Sequence, residues 1–418
     1  MSGTAPSSTP KSRDLSVEEA RDRILAGLRP TSAEIVALAN AWNRVMAEPV
    51  LARLTQPPAD VSAMDGYGLR AADGALGANL TVIGAAPAGH PFAGRVQPGQ
   101  AVRIFTGGLV PPGADAILLQ EDATEADGQV TVNETVKPGR WIRRAGLDFA
   151  AGETLLPAAR RLTARDIGLA AAGNNPWVTV HRRPRIGILA TGDEIALPGE
   201  PIPAGGIVSS NAHALAALVR AGGGEPVVLP IAPDDRDAIA AAAAAARACD
   251  MLVTTGGASV GEHDLVQKAL GDDPSLGGFA LDFWKIAMRP GKPLIWGRLG
   301  RTPVLGLPGN PVSALICAVQ FLWPGLAVMQ GMPAAAPATV RLRAGAALAA
   351  NDQRFDHLRA GLGADAQGQR IATPFVMQDS SMLKTLARAE ALILRAPFAP
   401  AIPAGTEVEV ILLADLGI

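Results

Sequence analysis

Between residues 183 and 332 the apolar positions fall into short runs, each bounded by Gly or Pro and separated by stretches with helical spacing. Residues 186–190, 227–231, 251–255, 294–296 and 304–307 read as buried strands. Asn211 is placed to cap a helix ending at the glycines 222–224. Residues 234–248 read as a second helix, opened by Asp234 and Asp235, and a third follows Pro311. Strands alternating with helices of this length predict βαβ units and a parallel sheet. Ligand-binding loops belong at the carboxyl ends of such strands.

The pattern differs on either side. Ser16–Glu19 and Thr31–Glu34 both fit the S/T-x-x-E capping box, and each predicts a helix start. Ile35, Leu38, Trp42 and Val45 follow the second box at helical spacing. From about 51 to 139 short apolar runs at 80–83, 101–105, 116–119 and 130–132 alternate with Gly/Pro turns, which predicts a small β-rich domain. Helical spacing returns at 163–172, with Gly173 as its stop. Residues 332–337 (MPAAAP) read as a linker, and 339–343, 391–395 and 407–412 as strands of a small all-β domain.

Composition narrows the class. A chain of 418 residues with 48% hydrophobic content is globular and too long for one ordinary core. A formal net charge of −2 gives no electrostatic case for nucleic acid or an anionic membrane. The two cysteines, Cys249 and Cys317, form no C-x-x-C and read as small buried hydrophobes in a reducing compartment. Residues 1–13 are polar, lack an apolar signal core and read as a disordered tail. The alanine run 240–246 is too short to span a bilayer. These features predict a cytoplasmic protein.

Two glycine-turned loops carry the candidate chemistry. TTGGASVGEHD (254–264) follows a strand and brings Glu262 and Asp264 beside backbone N–H groups able to reach a phosphate. GLPGNPVSA (306–314) repeats strand, stiff turn and helix. Neither is GxxxxGK[ST] or GxGxxG, so a P-loop NTPase and a dinucleotide site are not favoured. Taken alone, Asp234 reads as a helix cap or a macrodipole partner. Asp65, beside Gly66, reads as an Asx-turn. Glu194 and Asp264 differ because both follow predicted parallel strands, where carboxylates serve as oxygen ligands for Mg²⁺. Lys285, Arg289 and Lys292 lie in FWKIAMRPGKP (283–293). They are either solvated surface groups or, stiffened by Pro290 and Gly291, cations for a pyrophosphate or oxyanion. The five histidines fall in no HxxxH or HExxH spacing.

Seven motifs in order, SAMDGYGLR (62–70), RIFTGGLVPPGADAILLQED (103–122), IRRAGLDFAAGETLL (142–156), ILATGDEI (188–195) and the three loops above, resemble the molybdopterin molybdenumtransferase family, that is MoeA and the gephyrin E domain. The resemblance runs from about residue 14 to 418. It implies a multi-domain α/β and β fold. Its parts are a helical/linker domain (14–50 and 140–182), a β-rich lid domain (51–139), a parallel-sheet α/β molybdopterin-binding domain (183–332) and a small C-terminal β-barrel (338–418). The implied activity belongs to molybdenum cofactor biosynthesis: adenylylated molybdopterin and molybdate, with Mg²⁺, give the cofactor and AMP.

Carried over by motif, Asp65, Asp148, Glu194, Asp234, Asp264 and Lys285 are the implied catalytic set, with Glu194 and Asp264 as metal ligands. Thr106, Gly256, Gly257, Ser259, Gly261, Pro308, Gly309, Asn310 and Ser313 are implied to hold the substrate. Arg289, Lys292, Arg359 and Ser381 look like the molybdate pocket. Arg289 stands where many members carry Lys, and the segment before Ser381 lacks the usual glycines. The family implies a homodimer, with the adenylylating enzyme and molybdoenzymes as further partners and neither nucleic acid nor membrane. The alternatives are a scaffold protein on the gephyrin E-type fold and a molybdopterin adenylyltransferase.

Overall fold

The computed structural model describes residues 14–256, 269 and 278–418. The tail 1–13 and the loop residues Gly257, Ser259, Gly261 and Asp264 lie outside the described residues. The chain forms two compact units: Ile35–Trp42 with Glu48–Val180, and the remainder, namely the chain up to Glu34, Asn43–Ala47 and His181–Ile418.

The smaller unit is built on a six-stranded sheet in the order Ala116–Leu119, Gly66–Leu69, Gln100–Ile104, Asn79–Ala86, Gln129–Val132, Ala123–Ala126. All pairings are antiparallel except that of Asn79–Ala86 with Gln100–Ile104. Gly66–Leu69 is buried at all four positions. Asp65, expected in a turn, ends the bend at residues 63–65, and Gly66 begins an interior strand. The reason is steric. A Cβ on Gly66 would lie 1.9 Å from the Leu118 carbonyl oxygen, so glycine is what allows the two strands to approach.

The larger unit holds a mixed sheet rather than a wholly parallel one. Its order is Glu225–Val228, Arg185–Ala190, Met251–Thr255, Thr302–Leu307, Pro293–Leu299, Phe279–Lys285. The first four strands are parallel, and the last two run antiparallel to their neighbours. The helix after Asn310 continues through Met329 as Pro311–Cys317, a π-helical turn Ala318–Leu322, and Trp323–Met329. By length and hydropathy it could cross a membrane, yet 78% of its apolar window is buried. It fills the main core together with the N-terminal helix Val17–Ala26, the sheet residues Ile188 and Val253, and Leu392 and Ile411 from the C-terminal part. A helix apolar all round belongs in such an interior.

The C-terminal part is a closed barrel. Phe355–Ala364 pairs with Arg370–Pro374, and the ring continues through Val340–Ala344, Glu407–Leu412 and Ala391–Arg395 back to Phe355–Ala364. Its core mixes the small Ala344, Ala360, Ala372 and Ala391 with the larger Leu348, Ile393, Val408 and Val410, which together fill a narrow barrel. The short strand Met288–Arg289 adds to Phe355–Asp356 in parallel and fastens the barrel to the α/β layer. Arg289 seals this seam with ion pairs to Asp352, at 3.0 Å, and Asp356.

Several local expectations change. Val17–Ala26 begins with the expected Ser16–Glu19 capping box. Residues 31–45 do not form a helix; they give a strand, Ala33–Ala37, and a 3₁₀ turn, Leu38–Asn40. The Thr31 hydroxyl, needed for a cap, donates instead to the carbonyls of Arg182 at 2.5 Å and Met329 at 3.2 Å. Ile35 and Trp42 share no buried face, being 73% and 65% exposed. The helix expected at 163–172 is present as Ala164–Ala172, with Gly173 at its end, and the rest of 140–182 holds short strands. The strand expected at 227–231 ends at Val228, and the helix expected from 234 starts at Arg236.

Two glycine substitutions separate close approach from mere propensity. Gly66→Ala should destabilise the smaller unit by about 1–3 kcal/mol, because the methyl meets backbone that cannot move aside. Gly168→Ala, in the helix Ala164–Ala172 with nothing within 4 Å of the new carbon, should be neutral or stabilise by about 0.5–1 kcal/mol. Denaturant midpoints of the two variants against the parent chain check both signs.

Candidate active site

Three parallel strands end in one row. Ala190 is in register with Thr255, and Thr255 with Leu307, so the chain leaves the sheet side by side at Thr191, Gly256 and Pro308. The turns that follow enclose a cleft of about 600 Å³, lined by Thr191, Gly192, Glu194, Asp234, Thr255, Gly256, Pro308, Gly309, Asn310 and Ser381. Gly256 has φ +95°, and a Cβ there would lie 2.4 Å from the Thr191 carbonyl oxygen. A Cβ on Gly309 would lie 3.6 Å from the Gly256 Cα. The two glycine turns thus leave backbone, not side chains, at the cleft wall. That is the arrangement by which N–H groups reach an anion.

Asn211 ties the turns together, a role not foreseen from the sequence. It is the first residue of the helix Asn211–Ala221 and does not cap it. Its side-chain amide donates to Thr255 Oγ1 at 2.8 Å and to the Gly309 carbonyl at 2.7 Å. The available signal was positional: a polar run, Ser209 to Asn211, between a short strand and a helix in the α/β region. Thr191 was also missed. It is 2% exposed, and its hydroxyl has no partner among the described residues.

The acids in the cleft act on one another. Asp235, not Asp234, caps the helix Arg236–Ala245, accepting from Ala238 N at 2.9 Å. Asp234 is left to line the cleft beside Glu194. Burial, and then the charges of Asp193 and Glu194, push the Asp234 carboxyl above its ordinary 3.8. Among the described residues no three acids, cysteines or imidazoles gather tightly enough to enclose a metal ion.

The barrel contributes an arm to the cleft. Ser380 accepts from Asn310 Nδ2 at 3.0 Å through its hydroxyl, and from Val312 N at 3.2 Å through its carbonyl. Ser381 lines the cleft and donates its hydroxyl to Asp379 at 2.6 Å. Arg359 lies behind the arm, 1% exposed, with Nη1 3.4 Å from the Met382 carbonyl and Nη2 without a partner among the described residues.

The other sequence candidates are placed as follows. Ser313 is buried in the helix Pro311–Cys317. Lys285 pairs across the sheet with the cleft residue Pro293, and its ammonium lies 3.6 Å from the Trp284 ring centroid. Lys292 pairs with Asp14 at 3.3 Å and lines a different cavity, of about 870 Å³. Arg289 is held by Asp352 and Asp356 and borders a third, of about 390 Å³. Asp65, Thr106 and Asp148 belong to the smaller unit. There Asp65 Oδ1 accepts from Thr106 N at 2.7 Å and Thr106 Oγ1 at 2.8 Å, which holds its carboxyl below the ordinary value. Asp148 is exposed.

Glycine turns at aligned strand ends, with acids and a serine in the lining, form a cleft of the kind in which α/β proteins bind small ligands. Family models match along the chain in order. They are the MoeA N-terminal region (domain I and II) over residues 15–173, a probable molybdopterin binding domain over 187–327, and the MoeA C-terminal region (domain IV) over 341–413. A molybdopterin molybdenumtransferase of Haemophilus influenzae is 37% identical over 320 residues, 76% of this chain and 78% of its own. One of Bacillus subtilis is 30% identical over 418 residues, covering 97% and 95%. The crystal structure of the molybdopterin biosynthesis moeA protein from Pyrococcus horikoshii OT3 matches with a TM-score of 0.82 at 27% identity, over 96% of this chain and 100% of that one. The chain belongs to the molybdopterin molybdenumtransferase (MoeA) family, and is an enzyme of that kind in molybdenum cofactor biosynthesis.

The repulsion at Asp234 has a measurable sign. A carboxyl raised in the folded state binds its proton more tightly there than in the unfolded chain. Its contribution to stability is therefore largest below 3.8 and is lost as pH rises through the raised value. Asp234→Asn should raise Tm at neutral pH, by about 1–3 °C, and the gain should vanish below pH 3.8. Thermal unfolding at the two pH values checks it.

Proposed function

We propose that the enzyme inserts molybdate into adenylylated molybdopterin with Mg²⁺-dependent release of AMP. The observation that carries this reading is the convergence, in one cleft, of backbone-walled glycine turns, a mutually repelling carboxylate group and the barrel's Ser381 arm. Glycine turns suit the phosphates of the adenylylated substrate. Arg359 Nη2, without a partner among the described residues, suits a tetrahedral dianion, as does the Ser381 hydroxyl once it turns from Asp379.

The excess charge of Asp193, Glu194 and Asp234 fits a hard divalent cation, for which carboxylate oxygens are the natural donors. Glu194, with Asp264, would hold Mg²⁺. Bound there, such an ion would supply positive charge to phosphate oxygens. The chain's own part is to bind and orient. Asn211 fixes the spacing of the two turns through Thr255 and Gly309, so the phosphate-binding surface is set before substrate arrives. Gly257, Ser259, Gly261, Pro308, Gly309, Asn310 and Ser313 are read as substrate-loop residues. Thr106 is read with them as a substrate-binding residue, Asp65, Asp148, Asp234 and Lys285 complete the proposed catalytic set, and Arg289 and Lys292 the molybdate side.

The proposed assembly is a homodimer in the cytoplasm, meeting the adenylylating enzyme before catalysis and molybdoenzymes after it. Ile35, Trp42 and Trp177 of the smaller unit are 73%, 65% and 58% exposed, and large apolar groups left in water support a protein contact on that unit.

Purified full-length protein given adenylylated molybdopterin and Mg²⁺ should release AMP at a rate that rises with molybdate. Glu194→Gln and Asp264→Asn should each lower that rate by about a hundredfold or more, with Tm unchanged or raised. AMP release indifferent to molybdate would sink the reading. ATP-dependent adenylylation of free molybdopterin by the same preparation would point to an adenylyltransferase.

A further inference from the structure

We infer that Gln378 is a positioning residue that orients the Arg359 guanidinium toward the oxyanion bound beside Ser381. The inference rests on the functional reading above and adds a residue to it.

Arg359 sits in the barrel strand Phe355–Ala364 and is among the largest side chains buried in the molecule. Burial pushes its pKa down, although a guanidinium stays charged at any working pH. Such a group needs its N–H donors satisfied, and Gln378 attends to one side of it. Gln378 Oε1 accepts from Arg359 N at 3.0 Å and Arg359 Nε at 3.1 Å. Gln378 Nε2 donates to the Arg359 carbonyl at 3.0 Å and the Phe375 carbonyl at 2.8 Å. Both amide hydrogens and the amide oxygen are thereby engaged, so the side chain has one orientation that satisfies all four contacts.

The consequence falls on the far end of Arg359. With Nε fixed by Gln378 and Nη1 facing the Met382 carbonyl, the planar guanidinium has no torsion left to spend. Its Nη2 is buried without a hydrogen-bond partner among the described residues, and the one acid whose charge acts on the guanidinium, Asp379, is engaged by the Ser381 hydroxyl and backbone N–H. An unsatisfied buried donor costs free energy that an incoming acceptor recovers. The segment that supplies both anchors, residues 378–382, also carries Ser381 into the cleft wall. Gln378 thus sets the guanidinium and the serine in one frame. A plain structural role would have Gln378 merely close the strand edge at Phe375. In that case its loss would lower stability without distinguishing the two substrates.

Gln378→Met keeps length and volume but removes the hydrogen bonds. Gln378→Glu keeps the acceptor, loses the donors and sets a negative charge against Arg359. Steady-state AMP release by the full-length protein should show the molybdate KM of Gln378→Met raised about tenfold or more, with KM for adenylylated molybdopterin within about twofold. Gln378→Glu should raise the molybdate KM further, since its charge competes with a dianion for the same guanidinium. Arg359→Lys should raise it too, and adding Gln378→Met to that variant should change it by less than about twofold, because the two act as one unit. A wild-type molybdate KM in Gln378→Met overturns the inference. So does a parallel rise in both KM values accompanied by a fall in Tm. In either case the reading of the enzyme stands, provided the parent protein responds to molybdate. A parent that does not respond removes the inference together with that reading.

Discussion

The register that places Ala190, Thr255 and Leu307 side by side is the constraint on which the cleft depends. Three strands with different lengths of chain between them leave the sheet at one level, and only then can their turns share a ligand. A slip of one residue would exchange the faces of a whole strand, burying what now faces out. The slip is prevented by packing. Ile186 and Ile188 pack into the main core, while Leu189 packs into the second apolar layer with Leu252 and Val304. Hydrophobic alternation on both faces fixes the register, and the register sets the cleft. The glycines then exploit it, since Gly256 can lie against the Thr191 carbonyl only if the two strands end together.

Much of this was legible in the sequence because the chemistry is local to strand ends. A buried strand followed by Gly-Gly or Pro-Gly-Asn, or by Thr-Gly-Asp-Glu, announces both an element boundary and a reason for it. The strand Met251–Thr255 and the helix at Pro311 lie where the pattern places them. What could not be read was what depends on distant partners. The run Gly66–Leu69 has the composition of a turn and becomes a strand because Leu118 and Val102 lie on either side of it. Thr31 has the spacing of a cap, yet its hydroxyl serves the Arg182 and Met329 carbonyls. Of the two antiparallel strands at the edge of the α/β sheet, Pro293–Leu299 was expected at 294–296, while Phe279–Lys285, interrupted by Asp282 and Lys285, was not read as a strand.

The acids illustrate a different limit. From sequence, Asp234 and Asp235 are interchangeable helix openers. Geometry separates them: Asp235 satisfies Ala238 N, so Asp234 is free to face Asp193 and Glu194. A helix start needs one cap, and the surplus acid becomes a functional group without any change in local propensity. Asn211 shows the same economy. Placed at the first turn of a helix, it could have capped, and instead spends its amide on Thr255 and Gly309.

The barrel's contribution follows from how it is fastened. Arg289 in the seam is bound to Asp352 and Asp356 and hydrogen-bonded to Asn351 at 3.2 Å, so its charge is already answered within the protein. Asp352, gripped by Arg354 as well, is driven down to about 2 and remains an anion across the whole working range. Arg359 differs in that its Nη2 has no hydrogen-bond partner among the described residues, while the charge of Asp379 acts on its guanidinium. The two arginines thus sit in different settings. Arg289 locks the barrel to the α/β layer, and that lock keeps the arm bearing Ser380 and Ser381 seated on Asn310 and Val312. Arginine suits this seam, because a planar fork can hold two carboxylates and an amide at once where an ammonium offers a single point of charge.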